Sequence, residues 1–418
     1  MRSPVVANLL ALLSAREPDP RPPALDAAGW AALTHEAVRH GVAPLVHARL
    51  EAAGAAWTAP EEARRILQAA HLRTGLENLR LLTRLATVLR QCQVHGIAVI
   101  VLKGAHLATS VYPDSSLRSM GDADLLVRRA DLERANALLR AGGWRDAVPH
   151  GPPAAPGGHQ LPALALGGAH LELHWAIEDD DSPFAIDADG LWHRTMRMDL
   201  GGAMARVLSP EDLLLHLALH AAYGHGWLQF DNGLRPLCDV VACLHHFDGE
   251  FDWAAAVERA RAWRIHPSVW LTLTLAQRLL HAPVPPCALA ALAPAHTDES
   301  LVETAEALLL GSHYRDLAAH LPTLGRAWLT KRWHRLSRAR HWRAHALPRR
   351  ESLASAYPRL SASALQPLRY AAHWGDLLND VARLSFGPRG RQLLAQERSR
   401  RTLLWWLEGQ ESPPARSP

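Results

Sequence analysis

Apolar positions along the chain fall into three patterns. The N-terminal stretch VVANLLALLSA spaces Val5, Leu9, Leu12 and Leu13 at helical intervals and predicts a short docking helix rather than a cleaved signal. A proline-rich break, PDPRPPA, follows at 18–24, and helical pattern resumes from Asp26 to about Ala53. From about Pro60 to Val94 a long amphipathic helix is predicted, with Ile66, Leu67, Leu72, Leu76, Leu79, Leu82, Leu85 and Leu89 on one apolar face. Thr58 is its expected cap and His95-Gly96 its end.

The period then changes. Ile97–Leu102 (IAVIVL) is a continuous β-branched run, the pattern of a buried central strand. A small-residue turn, Lys103-Gly104-Ala105, leads into a short helix through Tyr112. Ala123–Val127 (ADLLV) reads as a second strand, 130–141 as a helix closed by Gly142-Gly143, and Trp144 as the start of a short strand. After a loop at 149–158, QLPALAL and AHLELHWAI read as antiparallel strands joined by Gly167-Gly168. From Ser209 the pattern is helical again, opened by Ser209-Pro-Glu-Asp212, a capping-box variant. Further helical pieces are expected at about 324–345, 362–384 and 388–408, before a disordered tail. The divisions drawn from this are an N-terminal helical region (1–94), an α/β core (95–205), a helical domain (206–322) and a basic C-terminal region (323–418).

Composition narrows the class. The 418 residues are 48% hydrophobic and 21% charged, which suits a globular chain and excludes wholesale disorder. Four cysteines without CxxC spacing argue against a disulfide scaffold or zinc ribbon and suit a reducing, cytoplasmic setting. No apolar run has the ~18–20 residues of a membrane span. The net charge of +4 hides an uneven distribution, since 326–350 holds nine basic residues and no acidic one. There arginines alternate with Trp328, Trp333 and Trp342. The expected arrangement is an amphipathic helix docked by its tryptophans, with a polyanion or a membrane surface as the other reading; no specific nucleic-acid target is expected. Of the 45 basic residues only Lys103 and Lys331 are lysines.

The chemistry concentrates in 102–127 and 170–175. Asp122 and Asp124 are two apart on a strand, so their carboxylates share a face about 7 Å apart, while Ala123 and Leu125 face the core. Two carboxylates on one face need a cation between them, and Mg²⁺ (or Mn²⁺) with hard oxygen ligands meets that need. On the later strand Leu171, Leu173 and Trp175 make the apolar face, which turns Glu172 the other way with His170 and His174. If the two strands pair, Asp122, Asp124 and Glu172 converge as metal ligands and catalytic carboxylates. Such a set serves two-metal phosphoryl or nucleotidyl transfer. Lys103, Gly104 and Ala105 form a phosphate turn at the strand-to-helix junction, and Arg118 is a second phosphate contact. His216, His220 and His225 have a spacing that can bind zinc, but no glutamate stands between the first two; packing or lining of the cleft is the expected role.

The ordered set Leu102-Lys103-Gly104, Tyr112, Arg118, Asp122-Ala123-Asp124-Leu125-Leu126-Val127, Gly143-Trp144 and Glu172-Leu173-His174-Trp175 resembles the uncharacterised nucleotidyltransferase family of the DNA polymerase β-like superfamily. LSPEDLLLHLALHAA, HGW and CDVVACL extend the resemblance, which covers roughly 26–285. It implies an α+β fold with a polymerase-β-like mixed β-sheet flanked by large helical regions. It also implies transfer of a nucleoside monophosphate from an NTP to an acceptor hydroxyl or phosphate. Two departures stand out: Gly104 is followed by Ala105 where serine or glycine is usual, and Glu172 stands where aspartate is commoner. The rival expectations are a non-catalytic binding or scaffold protein on the same fold, and a phosphotransferase using the same metals.

Overall fold

The computed structural model describes residues 2–16, 25–54, 57–148, 158–224, 233–311, 366–386 and 388–409. They fall into two units, one running to Val302 and the other comprising most of the chain from Glu303 onward.

Seven strands form the sheet of the first unit: β1 (Val99–Val101), β2 (Ala123–Val127), β3 (Arg145–Asp146), β4 (Leu164–Leu166), β5 (Ala169–His174), β6 (Met196–Asp199) and β7 (Met204–Val207). Their order is β3-β4-β5-β2-β1-β7-β6. The sheet is mixed. β2 runs parallel to β5, β1 runs parallel to β7, and the other neighbours are antiparallel. Every residue of β1 and β2 is buried, as their apolar runs require of central strands. The β4–β5 hairpin turns on Gly167 and Gly168, both at positive φ, the backbone that a two-residue primed turn demands. Gly201 and Gly202 turn β6 into β7 in the same way. The sequence pattern did not predict this second hairpin, because the alternation of Met, Arg and Asp in 196–199 carries little apolar signal.

The predicted long helix is present as α4 (Glu61–Val94), which follows α1 (Pro4–Leu13), α2 (Ala27–Arg39) and α3 (Ala43–Ala53). Its orientation corrects the expected apolar face. Leu72, Leu76 and Leu79 are 65%, 50% and 63% exposed, and the buried stripe runs through Leu67, Thr74, Asn78, Leu81, Leu85, Val88, Leu89 and Cys92. The reason is polar. The Asn78 side-chain amide donates to the carbonyls of Ser115 (2.6 Å) and Arg118 (2.8 Å), so α4 turns an asparagine inward to hold the loop ahead of β2. Pro60, not Thr58, occupies the cap position, with no side-chain capping bond.

Below the sheet, Leu85 and Leu89 of α4 and Leu139 of α6 (Leu132–Ala141) join Val101, Leu125, Val127, Leu171, Leu173 and Trp144 in one core. Between β1 and β2 the chain makes a single α-turn, α5 (Lys103–His106), that runs into a π-helical turn over Leu107–Val111. After α7 (Ala188–His193) and the second hairpin come α8 (Pro210–Ala222), α9 (Arg235–His246), α10 (Trp253–Ala262) and α11 (His266–Leu280). Ser209 caps α8 by accepting from the Asp212 N–H, as its motif predicts. Asp212, fully buried, accepts from Arg194 at 2.8 Å and Arg259 at 2.6 Å and so ties α8 to α7 and α10.

In the second unit the helices Gln366–Phe386 and Pro388–Leu407 pack on each other, matching two of the predicted C-terminal pieces. The basic stretch 326–350, the break at 18–24, His225 and the tail from 410 lie outside the described residues. Among the described residues no helix is long and apolar enough to cross a membrane.

Candidate active site

Strand register assembles the site. In the parallel β2–β5 pair Ala123 lies opposite Leu171, Asp124 opposite Glu172, and Leu125 opposite Leu173. Side chains alternate across a sheet, so the alanine and the leucines enter the core and the two acids stand side by side on the other face. His174, two residues past Glu172, shares that face. Its Nε2 donates to Asp124 Oδ1 at 3.0 Å and lies 3.5 Å from Glu172 Oε2. Gln160 donates to the same Glu172 oxygen at 2.8 Å. The Lys103 ammonium approaches Asp124 Oδ1 at 3.5 Å.

These contacts set the charges. Burial alone would raise the Asp124 carboxyl, but Lys103 and His174 outweigh it and hold Asp124 well below the usual carboxylate range. Burial likewise opposes ionisation of Glu172, yet the hydrogen bond from His174 keeps it below its ordinary value. Burial works against a charged His174, but the two carboxylates overcome that and raise its pKa. Asp122 goes the other way. Burial, then the negative charges of Asp124 and Glu172, push it up to about 6.

Asp124, Glu172 and His174 each offer one ligand atom, and those atoms all lie within 4.8 Å of one another. Two carboxylates and an imidazole fit a divalent cation. The expected ligand set was Asp122, Asp124 and Glu172. The structure brings the last two together, adds His174, and leaves Asp122 beside them, half-buried. Only pairing could single out His174, because its nearness to Asp124 depends on which strand β5 joins.

The turn residues hold tension. Lys103 has φ 39°, in the left-handed region that a side chain with Cβ adopts at a cost. Gly104 and Ala105 follow it, both buried. A Cβ on Gly104 would meet Arg118 Nη1 at 2.3 Å, so this glycine accommodates a guanidinium lying over the turn. Arg118 itself is buried and gripped by Asp239 of α9. Nε donates to Oδ1 at 3.2 Å and Nη2 to Oδ2 at 2.9 Å, while the Tyr112 hydroxyl donates to Oδ1 at 2.9 Å. In the sequence Asp239 carries even less signal than His216 and His220, nothing beyond its place in CDVVACL. His220 lies near enough for its charge to favour ionised Asp124, and its ring centroid is 6.5 Å from that of His216.

Comparison with curated proteins and with solved structures returns no match. A family model does match, described as an uncharacterised nucleotidyltransferase and aligned over residues 26–281, a span that includes β1 to β7 and α8 and α9. With that span covering more than half of the chain and a carboxylate–histidine cluster able to hold a metal at its centre, the chain belongs to this uncharacterised nucleotidyltransferase family.

Proposed function

We propose that the protein transfers a nucleoside monophosphate from an NTP to a hydroxyl or phosphate of an acceptor, using Mg²⁺ or Mn²⁺. The observation that carries this reading is the Asp124–Glu172 register pair, which sets two ionised carboxylates side by side next to the Lys103 turn. A divalent cation held by Asp124, Glu172 and His174 would supply positive charge to phosphate oxygens during transfer.

The chain's own residues do the rest. His174 and Gln160 fix the rotamers of Asp124 and Glu172, so the carboxylates need little reorganisation when a ligand arrives. Lys103 offsets carboxylate charge and presents a compact ammonium to a phosphate oxygen. Asp122 adds a third carboxylate at the rim. Arg118 holds the Gly104 turn in place through Asp239. In this reading the long helices before the sheet and those after Ser209 form the acceptor cleft. All four cysteines are free, which supports assigning the reaction to the cytoplasm.

The test is calorimetry of each NTP with and without Mg²⁺ on the wild type and on the Asp122→Ala/Asp124→Ala double variant. Mg²⁺-dependent binding should vanish in the variant, and its persistence would sink the metal assignment. Labelled NTPs incubated with cell extract, followed by mass spectrometry, test transfer. No labelled product from any of the four would favour a binding protein without transfer.

A further inference from the structure

One cation beside the site, Arg235, is in no ion pair with a described residue. Arg235 is the first residue of α9 and stands one helical turn before Asp239, so both face the same side. Asp239 is already committed: Oδ1 accepts from Arg118 Nε and from the Tyr112 hydroxyl, and Oδ2 from Arg118 Nη2. Among the described residues Arg235 forms no ion pair within contact distance, although Asp239 and Asp122 attract it from farther away. Its Nε is buried with no hydrogen-bond partner among the described residues, and its Nη1 makes a long contact of 3.4 Å to the Ser119 carbonyl.

The Ser119 carbonyl also receives the free corner of Arg118, whose Nη1 lies 3.5 Å away. Two guanidinium groups thus converge on one neutral oxygen, both at the outer limit of a hydrogen bond. Each repels the other, and Asp122 attracts both. Two guanidiniums that converge with weakly used Nη1 donors are a seat for a multiply charged anion, because planar N–H forks match phosphate oxygens.

We propose that Arg235, with the Nη1 corner of Arg118, seats the terminal phosphates of the nucleotide on the Asp122 side of the carboxylate cluster. This rests on the nucleotidyl-transfer reading for the source of the phosphates; the seat itself rests only on the two arginines. It gives the helical region a direct hold on substrate. It also separates two tasks: the carboxylate–histidine cluster serves the cation, and the arginine pair serves the leaving pyrophosphate.

The experiment is calorimetry on the full chain in Mg²⁺, with pyrophosphate, each NTP and each matching NMP as probes. The variants are Arg235→Gln and Arg235→Lys, with ligand-free thermal melts for each. Pyrophosphate and NTP binding should weaken at least tenfold in Arg235→Gln and recover in part in Arg235→Lys, with NMP binding unchanged. Should Arg235→Gln fail to fold, Arg235→Lys keeps the charge but loses the fork, and at least a threefold loss of pyrophosphate affinity without loss for NMP is expected. Equal pyrophosphate affinity in wild type and variants, or equal losses for NTP and NMP, would overturn the seat while leaving the transfer reading intact. Arg235-dependent binding of pyrophosphate by a wild type that binds no NTP would uphold the seat and overturn the transfer reading. A wild type that binds neither would overturn both.

Discussion

The Arg118 guanidinium grips both carboxylate oxygens of Asp239 across 121 residues of sequence, at 3.2 and 2.9 Å. This buried pair joins the loop before β2 to α9. Asp239→Asn keeps the shape but leaves the buried Arg118 without its ion-pair partner, and should cost about 3–5 kcal/mol of stability. Replacing the whole buried set, as in Arg118→Met/Asp239→Leu/Tyr112→Phe, which also removes the hydroxyl that donates to Asp239, should recover most of that loss. Urea unfolding midpoints at unchanged slope measure the two values.

Lys103 tests whether backbone tension at the turn is real. At φ 39° a glycine is at ease and an alanine is not. Lys103→Gly and Lys103→Ala both remove the ammonium from Asp124, so the difference between them isolates the backbone. Lys103→Gly should be the more stable by about 1 kcal/mol. Nucleotide binding should fall in both, and denaturant melts compared with calorimetry will separate the two effects.

His174 bridges Asp124 and Glu172, so removing it affects metal binding before anything else. His174→Phe should lower Mn²⁺ affinity about 10- to 100-fold, the scale seen when a ligand or its support is lost. Free Mn²⁺ followed by electron paramagnetic resonance measures this without any assay of transfer. Unaltered affinity would exclude the imidazole as a ligand.

His106, 1% exposed, is pushed down to about 4 by burial and by the nearby His246. A histidine with a lowered folded-state pKa costs nothing above its unfolded value near 6.5, where it is neutral in both states. Below that the unfolded chain takes the proton first, so stability falls between about pH 6.5 and 4. The loss should be on the order of 3 kcal/mol. Denaturation of wild type and His106→Leu at pH 7 and pH 4.5 should show a smaller pH-dependent loss in the variant.

The parts of this molecule readable from sequence are those in which local pattern and burial agree. ADLLV became β2 to the residue, and Gly167-Gly168 became the hairpin turn beside Glu172. The face of α4 was not readable, because its inward stripe includes Asn78, whose reason to be buried is two carbonyls some forty residues away. Asp239 was not readable either, since nothing near it in sequence marks it as the partner of Arg118. His174 could be placed on the face of Glu172 by alternation, but its contact with Asp124 follows from β5 pairing with β2 in parallel. Periodicity reports which face a residue takes; it is silent on which element lies opposite.

The β2–β5 pairing makes the carboxylate cluster and the folding of this chain one property. The alignment that buries Leu171 and Leu173 is the same one that aims Glu172 at Asp124. A slip by one residue would reverse both faces of the strand at once, exposing leucine and burying glutamate. A chain that lacks the cluster but keeps a shifted, intact sheet is therefore not a neighbouring state of this protein. Deleting a single residue within 169–174 would show up first as insoluble protein, whereas lengthening the connection before β4 would leave the carboxylates where they are.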